Sequence, residues 1–161
     1  MPLGQIVLRL LLSSVLGAAI GLEREMHKRA AGFRTHILVC IGSTLFMLTS
    51  VDVALTYSHV GDTDPSRIAA GVVTGIGFLG AGAIIRYGES IKGLTTAASV
   101  WVVAAIGLSV GAGMYVAAVL TTVIVFVILL LSRLSEQFES GKSRLTQRFR
   151  GNHEDETIEG E

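Results

Sequence analysis

The chain has 161 residues, half of them hydrophobic and only 16% charged, with a mean hydropathy of +0.61. A soluble domain carries about 25% charge, so a water-facing surface of ordinary size cannot be covered here, and 13 basic against 13 acidic residues leave no net field to attract nucleic acid. The single cysteine, Cys40, excludes an internal disulfide scaffold, and the aliphatic residues between the 19 glycines exclude a collagenous or disordered chain; what remains is an integral membrane protein.

A helix needs about 20 largely apolar residues to cross a hydrocarbon core of about 30 Å. Five such spans are predicted, at about 3–22, 35–55, 68–85, 94–110 and 114–131, giving an all-α domain over residues 1–132 with five transmembrane helices. The first span holds Arg9 and the pair Gly17-xxx-Gly21. It resembles a signal peptide superficially, but cleavage would leave the basic stretch 24–34 outside, against the positive-inside bias. The second span carries Asp52 near its far end, within reach of Arg9 if the two helices adjoin. Asp64-Pro65 reads as an N-cap and first-turn proline for the third span. Asp62-x-Asp64 is a fragment of a calcium loop without its later ligands.

Within the third span, Gly75-Ile76-Gly77-Phe78-Leu79-Gly80 matches a dinucleotide fingerprint, but no strand precedes it, so nucleotide binding is excluded. Gly71, Gly75, Gly77, Gly80 and Gly82, with Gly17-xxx-Gly21 and Gly107-xxx-Gly111, instead predict faces where helices approach closely. No charge occurs between Lys92 and Arg133, and Gly111-Ala112-Gly113 is the turn that divides this stretch into two crossings. Residues 133–161 form a basic and then acidic tail, partly disordered, whose Leu134, Phe138, Leu145 and Phe149 suit a helix lying on an anionic leaflet. Lysine and arginine concentrate in the stretch 24–34, at Arg86 and Lys92, and in the tail, which predicts an outside N-terminus and a cytoplasmic C-terminus.

Charges at membrane depth are costly and so mark candidate sites. Asp52 is the best candidate for a cation or proton site, with a snorkelling carboxylate as the plain alternative. Glu23, Arg24 and Glu25, followed by Arg34, Thr35 and His36, form a boundary cluster that either anchors helix ends or makes a polar site. His27, His36, His59 and His153 lack zinc spacing, and Ser43 and His36 lie two turns apart on one span, so no catalytic constellation is expected.

Taken together, Gly21-Leu22-Glu23-Arg24-Glu25, Ala31-Gly32-Phe33-Arg34-Thr35-His36, Arg67-Ile68-Ala69-Ala70, Gly75 to Gly82, and Gly93-Leu94-Thr95-Thr96-Ala97-Ala98 with Trp101 behind resemble the MgtC/SapB family of bacterial inner-membrane proteins. The match runs from about residue 10 to residue 113. The resemblance implies a five-helix inner-membrane domain linked to survival under magnesium limitation, in some members to virulence and acid tolerance. Carried over by position, the polar motif residues are Glu23, Arg24, Arg34, Thr35, Arg67, Thr95 and Thr96. Several members carry a further soluble C-terminal domain; this chain reads as a short form with a charged tail in its place.

The expected function is a membrane regulator that docks by helix–helix contact onto another membrane protein or a second copy of itself, within the lipid bilayer. The alternative is a magnesium or other cation permease. No enzyme activity and no cofactor are expected, with magnesium as a possible ion.

Overall fold

The computed structural model describes residues 1–59, 64–88 and 90–132. Its elements are α1 (Leu3–Met26), α2 (Phe33–Tyr57), α3 (Ser66–Ala83), β1 (Ile85–Tyr87), β2 (Ser90–Lys92), α4 (Leu94–Gly111) and α5 (Tyr115–Ser132). All five helices are long and apolar enough to cross a membrane. Even the 18-residue α3 and α4 rise about 27 Å at 1.5 Å per residue, close to the hydrocarbon thickness. The tail expected at 133–161, with its amphipathic helix, and Asp62 lie outside the described residues.

Residues Met1–Phe126 form one compact body, and a second unit begins at Val127, within α5. Three contacts fix the helix directions in the first body. His36 at the start of α2 meets Ser99 near the start of α4, so these helices run parallel. Arg9 near the start of α1 meets the Gly111 carbonyl at the end of α4, so α1 is antiparallel to both. Ser50 on α2 donates to the Pro65 carbonyl just before α3, so α3 returns antiparallel to α2. One end of the bundle therefore gathers the ends of α1 and α3, the starts of α2 and α4, and the exposed cations Lys28, Arg29, Arg34, Arg86 and Lys92.

Close approach to α2 comes from glycines on both sides of it. A Cβ on Gly17 would lie 2.9 Å from the Cys40 Cβ and the His36 carbonyl, and one on Gly21 would lie 2.8 Å from the Phe33 Cα. On the opposite flank, a Gly107 Cβ would lie 2.9 Å from the Ser43 Cβ, and a Gly111 Cβ 2.6 Å from the Met47 Cβ. These are distances no real Cβ tolerates, so two small-xxx-small pairs bring α1 and α4 against α2 backbone to backbone. Gly80 makes an ordinary contact, 3.7 Å from the Ala97 Cβ, whereas Gly71, Gly75, Gly77 and Gly82 face open space within the described residues. The packing expected of all nine glycines is thus carried inside the chain by Gly17, Gly21, Gly107 and Gly111, with Gly80 as a looser contact. Accordingly, α4 has nine buried residues, and α3 only Ile76 and Gly80.

Two of the helix ends that differ from the sequence expectation bear on the site. The first span was expected to stop at residue 22, but α1 continues to Met26 and takes Glu23, Arg24 and Glu25 into its last turns. It then closes through Lys28 in the left-handed region (φ +52°), with the Arg29 amide reaching back to the Arg24 carbonyl at 3.1 Å. The third span was expected to reach residue 85, but α3 stops at Ala83, and an antiparallel hairpin pairs Ile85 with Lys92 and Arg86 with Ile91. Gly88 (φ +57°) permits its tight turn, and Gly93 (φ +90°) starts α4 where a side chain would strike the Ala83 carbonyl.

At the other end of α3, Asp64 caps the helix. Its carboxylate accepts from the Ser66 amide and hydroxyl, each at 2.8 Å. These two bonds hold the exposed carboxyl below the usual carboxylate range. A lowered folded pKa means that the cap is fully present above the ordinary aspartate value and is lost as pH falls through the folded one. Corrected for intrinsic rates, amide exchange in the first turn of α3 should therefore rise below that pH in the native protein, and be high and flat with pH in Asp64→Ala.

A second expectation concerns the glycines. Gly107→Leu should lower stability by about 1–3 kcal/mol or more through overpacking against α2. Gly77→Leu, with room at its Cβ, should stay within about 1 kcal/mol of the native protein. Thermal unfolding in detergent, followed by the emission of Trp101, the only tryptophan, measures both.

Candidate functional site

At the basic end the glycine seams enclose a polar cluster. The end of α1 supplies Glu23 and Arg24, 1% and 2% exposed; α2 supplies His36, fully buried; α4 supplies Thr96 and Ser99, 4% and 3% exposed. Glu23 is paired bidentately with its neighbour Arg24: Nε donates to Oε2, and Nη2 donates to Oε1 at 2.8 Å. His27 Nδ1 stands 3.1 Å from the same Oε1. Two charges removed from water stay there only when each is matched, and among the described residues no buried side-chain nitrogen or oxygen lacks a partner.

His36 has a defined set of hydrogen bonds. Its Nδ1 stands 2.8 Å from the Gly32 carbonyl, which can only accept, so Nδ1 carries the proton. Its Nε2 stands 3.1 Å from the Ser99 hydroxyl, which also lies 2.9 Å from the Thr96 carbonyl. A neutral ring takes the Ser99 proton as acceptor. A charged ring donates to Ser99, which turns its own proton to Thr96. Both protonation states are thus satisfied by one rotation of a hydroxyl. The serine meeting His36 is Ser99 rather than Ser43, and both side chains are sealed from solvent, so no substrate reaches the pair.

The other expected site residues are dispersed. Arg34 and Thr35 lie one and two residues before His36 and are exposed, as are Thr95 and Arg67. Asp52 is exposed on α2, away from the cluster. The Arg9–Asp52 pairing considered from the sequence does not form: α1 and α2 adjoin, but Arg9 Nη1 donates to the Gly111 carbonyl at 2.7 Å and Nε to the Tyr115 hydroxyl at 3.0 Å. Its guanidinium also lies 5.8 Å from the Tyr115 ring centroid. An arginine on the last carbonyls of α4 satisfies acceptors that the helix leaves open, which outweighs an exposed carboxylate. Among the described residues no three histidine, cysteine, aspartate or glutamate side chains lie close enough to hold a metal ion.

Two contributors were not singled out from the sequence. Ser99 gave no signal, because its partner lies 63 residues away. Glu25 was noted only as a boundary charge, yet its Oε2 accepts from the Phe33 amide at 2.8 Å and lies over Gly32, capping the start of α2.

Five apolar helices, three of them packed on glycine seams, with a sealed ion pair and imidazole at a basic end, define a polytopic α-helical membrane protein. The chain belongs to the MgtC family, whose sequence profile matches residues 10–138. It is 53% identical over 115 residues to the Escherichia coli K12 protein named "Putative magnesium transporter YhiD", an overlap covering 69% of this chain and 53% of that one. It is 39% identical over 158 residues to protein MgtC of Salmonella typhimurium LT2, covering 94% of this chain and 65% of the relative. The chain thus spans about half to two-thirds of the length of these relatives. No solved structure gives a significant match. It is a multi-pass protein of the bacterial inner membrane.

Removing one member of a buried ion pair leaves the other charge uncompensated, at a cost of about 3–5 kcal/mol. Glu23→Gln should therefore destabilise the protein by that amount in detergent unfolding. The double variant Glu23→Leu/Arg24→Met should recover most of the loss, and equal losses in the two would show that the pair is not what the fold depends on.

Proposed function

We propose that this chain is a non-enzymatic membrane regulator in adaptation to magnesium limitation, acting by docking α3 onto another membrane protein. The observation that carries this reading is the free outer face of α3. Thr74, Gly77 and Phe78 share one helical face, Phe78 is 83% exposed, and Gly77 meets nothing within 4 Å. Small residues beside an aromatic let a second helix approach closely, as Gly107 and Gly111 do inside the chain. Magnesium enters through family membership and the name printed for the E. coli relative.

The alternative is the permease that this name describes for the relative. Magnesium prefers octahedral oxygen ligands and sheds water reluctantly. Glu23 is already neutralised by Arg24, and among the described residues Asp52 belongs to no cluster of three possible metal ligands, so docking is the better supported of the two.

The test uses purified protein in liposomes with an entrapped magnesium dye, beside growth at low magnesium of cells that depend on a family member. The native protein should give no saturable flux and should restore growth, and folded Gly77→Leu should fail to restore it. Saturable flux abolished by Asp52→Asn would establish a permease instead, and full rescue by Gly77→Leu would remove this face of α3 as the docking surface.

A further inference from the structure

Between α2 and α3 runs an apolar groove of about 610 Å³, floored by Gly42, Gly71 and Gly75 and walled by Leu38, Phe46 and Leu79. Leu38 is 70% exposed and Phe46 56%, so the groove opens sideways, toward lipid. It is separate from the outer face of α3 described above. From Ile68 to Leu79 it extends about 16 Å along the helix, the depth of one leaflet's hydrocarbon. Its length and its apolar lining suit a hydrocarbon chain lying along the helices.

The polar end of such a ligand is set by the α2 stripe. Arg34, Leu38, Gly42 and Phe46 follow one another at four-residue steps and so share a face. Arg34 stands one turn beyond the groove, exposed, with its side chain tilted toward the helix start and hence toward the membrane surface. Among the described residues it forms no ion pair. Arg86 and Lys92, on the hairpin after α3, add exposed positive charge at the same end. Glu25, in the last turn of α1, is committed to the Phe33 amide.

We propose that the α2–α3 groove is a binding site for an anionic phospholipid, one acyl chain lying along Gly42, Gly71 and Gly75 and the headgroup phosphate held by Arg34. Arg86 and Lys92 favour a headgroup of net negative charge over a zwitterionic one. The site does not depend on the docking reading: it uses the opposite side of α3 and different residues.

Native mass spectrometry of the purified protein tests this, with phosphatidylglycerol and phosphatidylcholine of identical chains titrated in detergent. The native protein should bind phosphatidylglycerol more tightly. Arg34→Gln should lose about tenfold in affinity for both lipids, which share the phosphate, the equivalent of one charge-assisted hydrogen bond, whereas Arg86→Gln/Lys92→Gln should abolish the preference for phosphatidylglycerol. Gly75→Leu fills the groove and should weaken both lipids, whereas Gly77→Leu, on the outer face, should weaken neither; circular dichroism and Trp101 emission verify that each variant is folded. Inorganic phosphate should not displace the lipid. Equal affinity of the native protein for the two lipids, native-like binding by Arg34→Gln or Gly75→Leu, a preference that survives Arg86→Gln/Lys92→Gln, or displacement by free phosphate would each overturn the proposal.

Discussion

The close approach of α1 and α4 to α2 is the constraint on which the rest of the structure depends. In lipid there is no gain from hiding apolar surface between helices, so association rests on packing and on the few polar contacts that packing permits. Gly17 and Gly21 on one side, and Gly107 and Gly111 on the other, let α2 be gripped along the stripe His36, Cys40, Ser43 and Met47. The same closeness seals Glu23, Arg24 and His36 from water. The polar cluster is therefore a consequence of the seams rather than a separate device.

Hydroxyls within the bundle follow from the same scarcity of partners. Ser14, Ser109 and Thr122 each donate to a carbonyl one turn back on their own helix, where a polar group in hydrocarbon finds its readiest acceptor. Among the described residues, three side-chain bonds instead reach from α1 or α2 to α4. His36 meets Ser99 at the basic end, Thr44 meets the Gly107 carbonyl at 2.8 Å in the middle, and Arg9 meets the Gly111 carbonyl at the opposite end. The middle bond exists because Gly107 has no side chain to shield its carbonyl. Spaced along α4 in this way, the three bonds fix both its rotation and its height against its neighbours.

The five helices were legible in the sequence because hydrocarbon thickness imposes a length that runs of apolar residues either meet or do not. The turn at Gly111-Ala112-Gly113 was legible for the same reason. The hairpin after α3 was not: six strand residues carry no periodicity to separate them from the end of an apolar helix, and only Gly88 and Gly93 signal the change. The polar cluster was half visible. Glu23 and Arg24 stood out as charges at a boundary, but their pairing needs an α1 one turn longer than hydropathy alone predicts. His36 was noted, yet its role depends on Ser99, which reaches it only through the parallel packing of α2 and α4. Which glycines face a neighbour and which face lipid was likewise hidden, since Gly71-xxx-Gly75 and Gly107-xxx-Gly111 have identical spacing.

That last distinction divides the molecule. Glycines of equal spacing close one side of the bundle and leave the other open, so α4 is enclosed and α3 is not. A chain that needed α3 only to complete its own core would bury more of it than Ile76 and Gly80. The Glu23–Arg24 pair and His36 lie on the closed side, where they are satisfied and buried. The surfaces available to other molecules, whether lipid along the α2–α3 groove or a helix on the outer face of α3, are apolar and small-sided. Recognition by such surfaces rests on shape and closeness of approach, with specificity for charge supplied only where Arg34 and the hairpin cations meet the membrane surface. A carrier of hydrated divalent ions would need polar groups lining what is open, and this distribution of polar and apolar surface is what supports the proposed docking reading over the proposed permease.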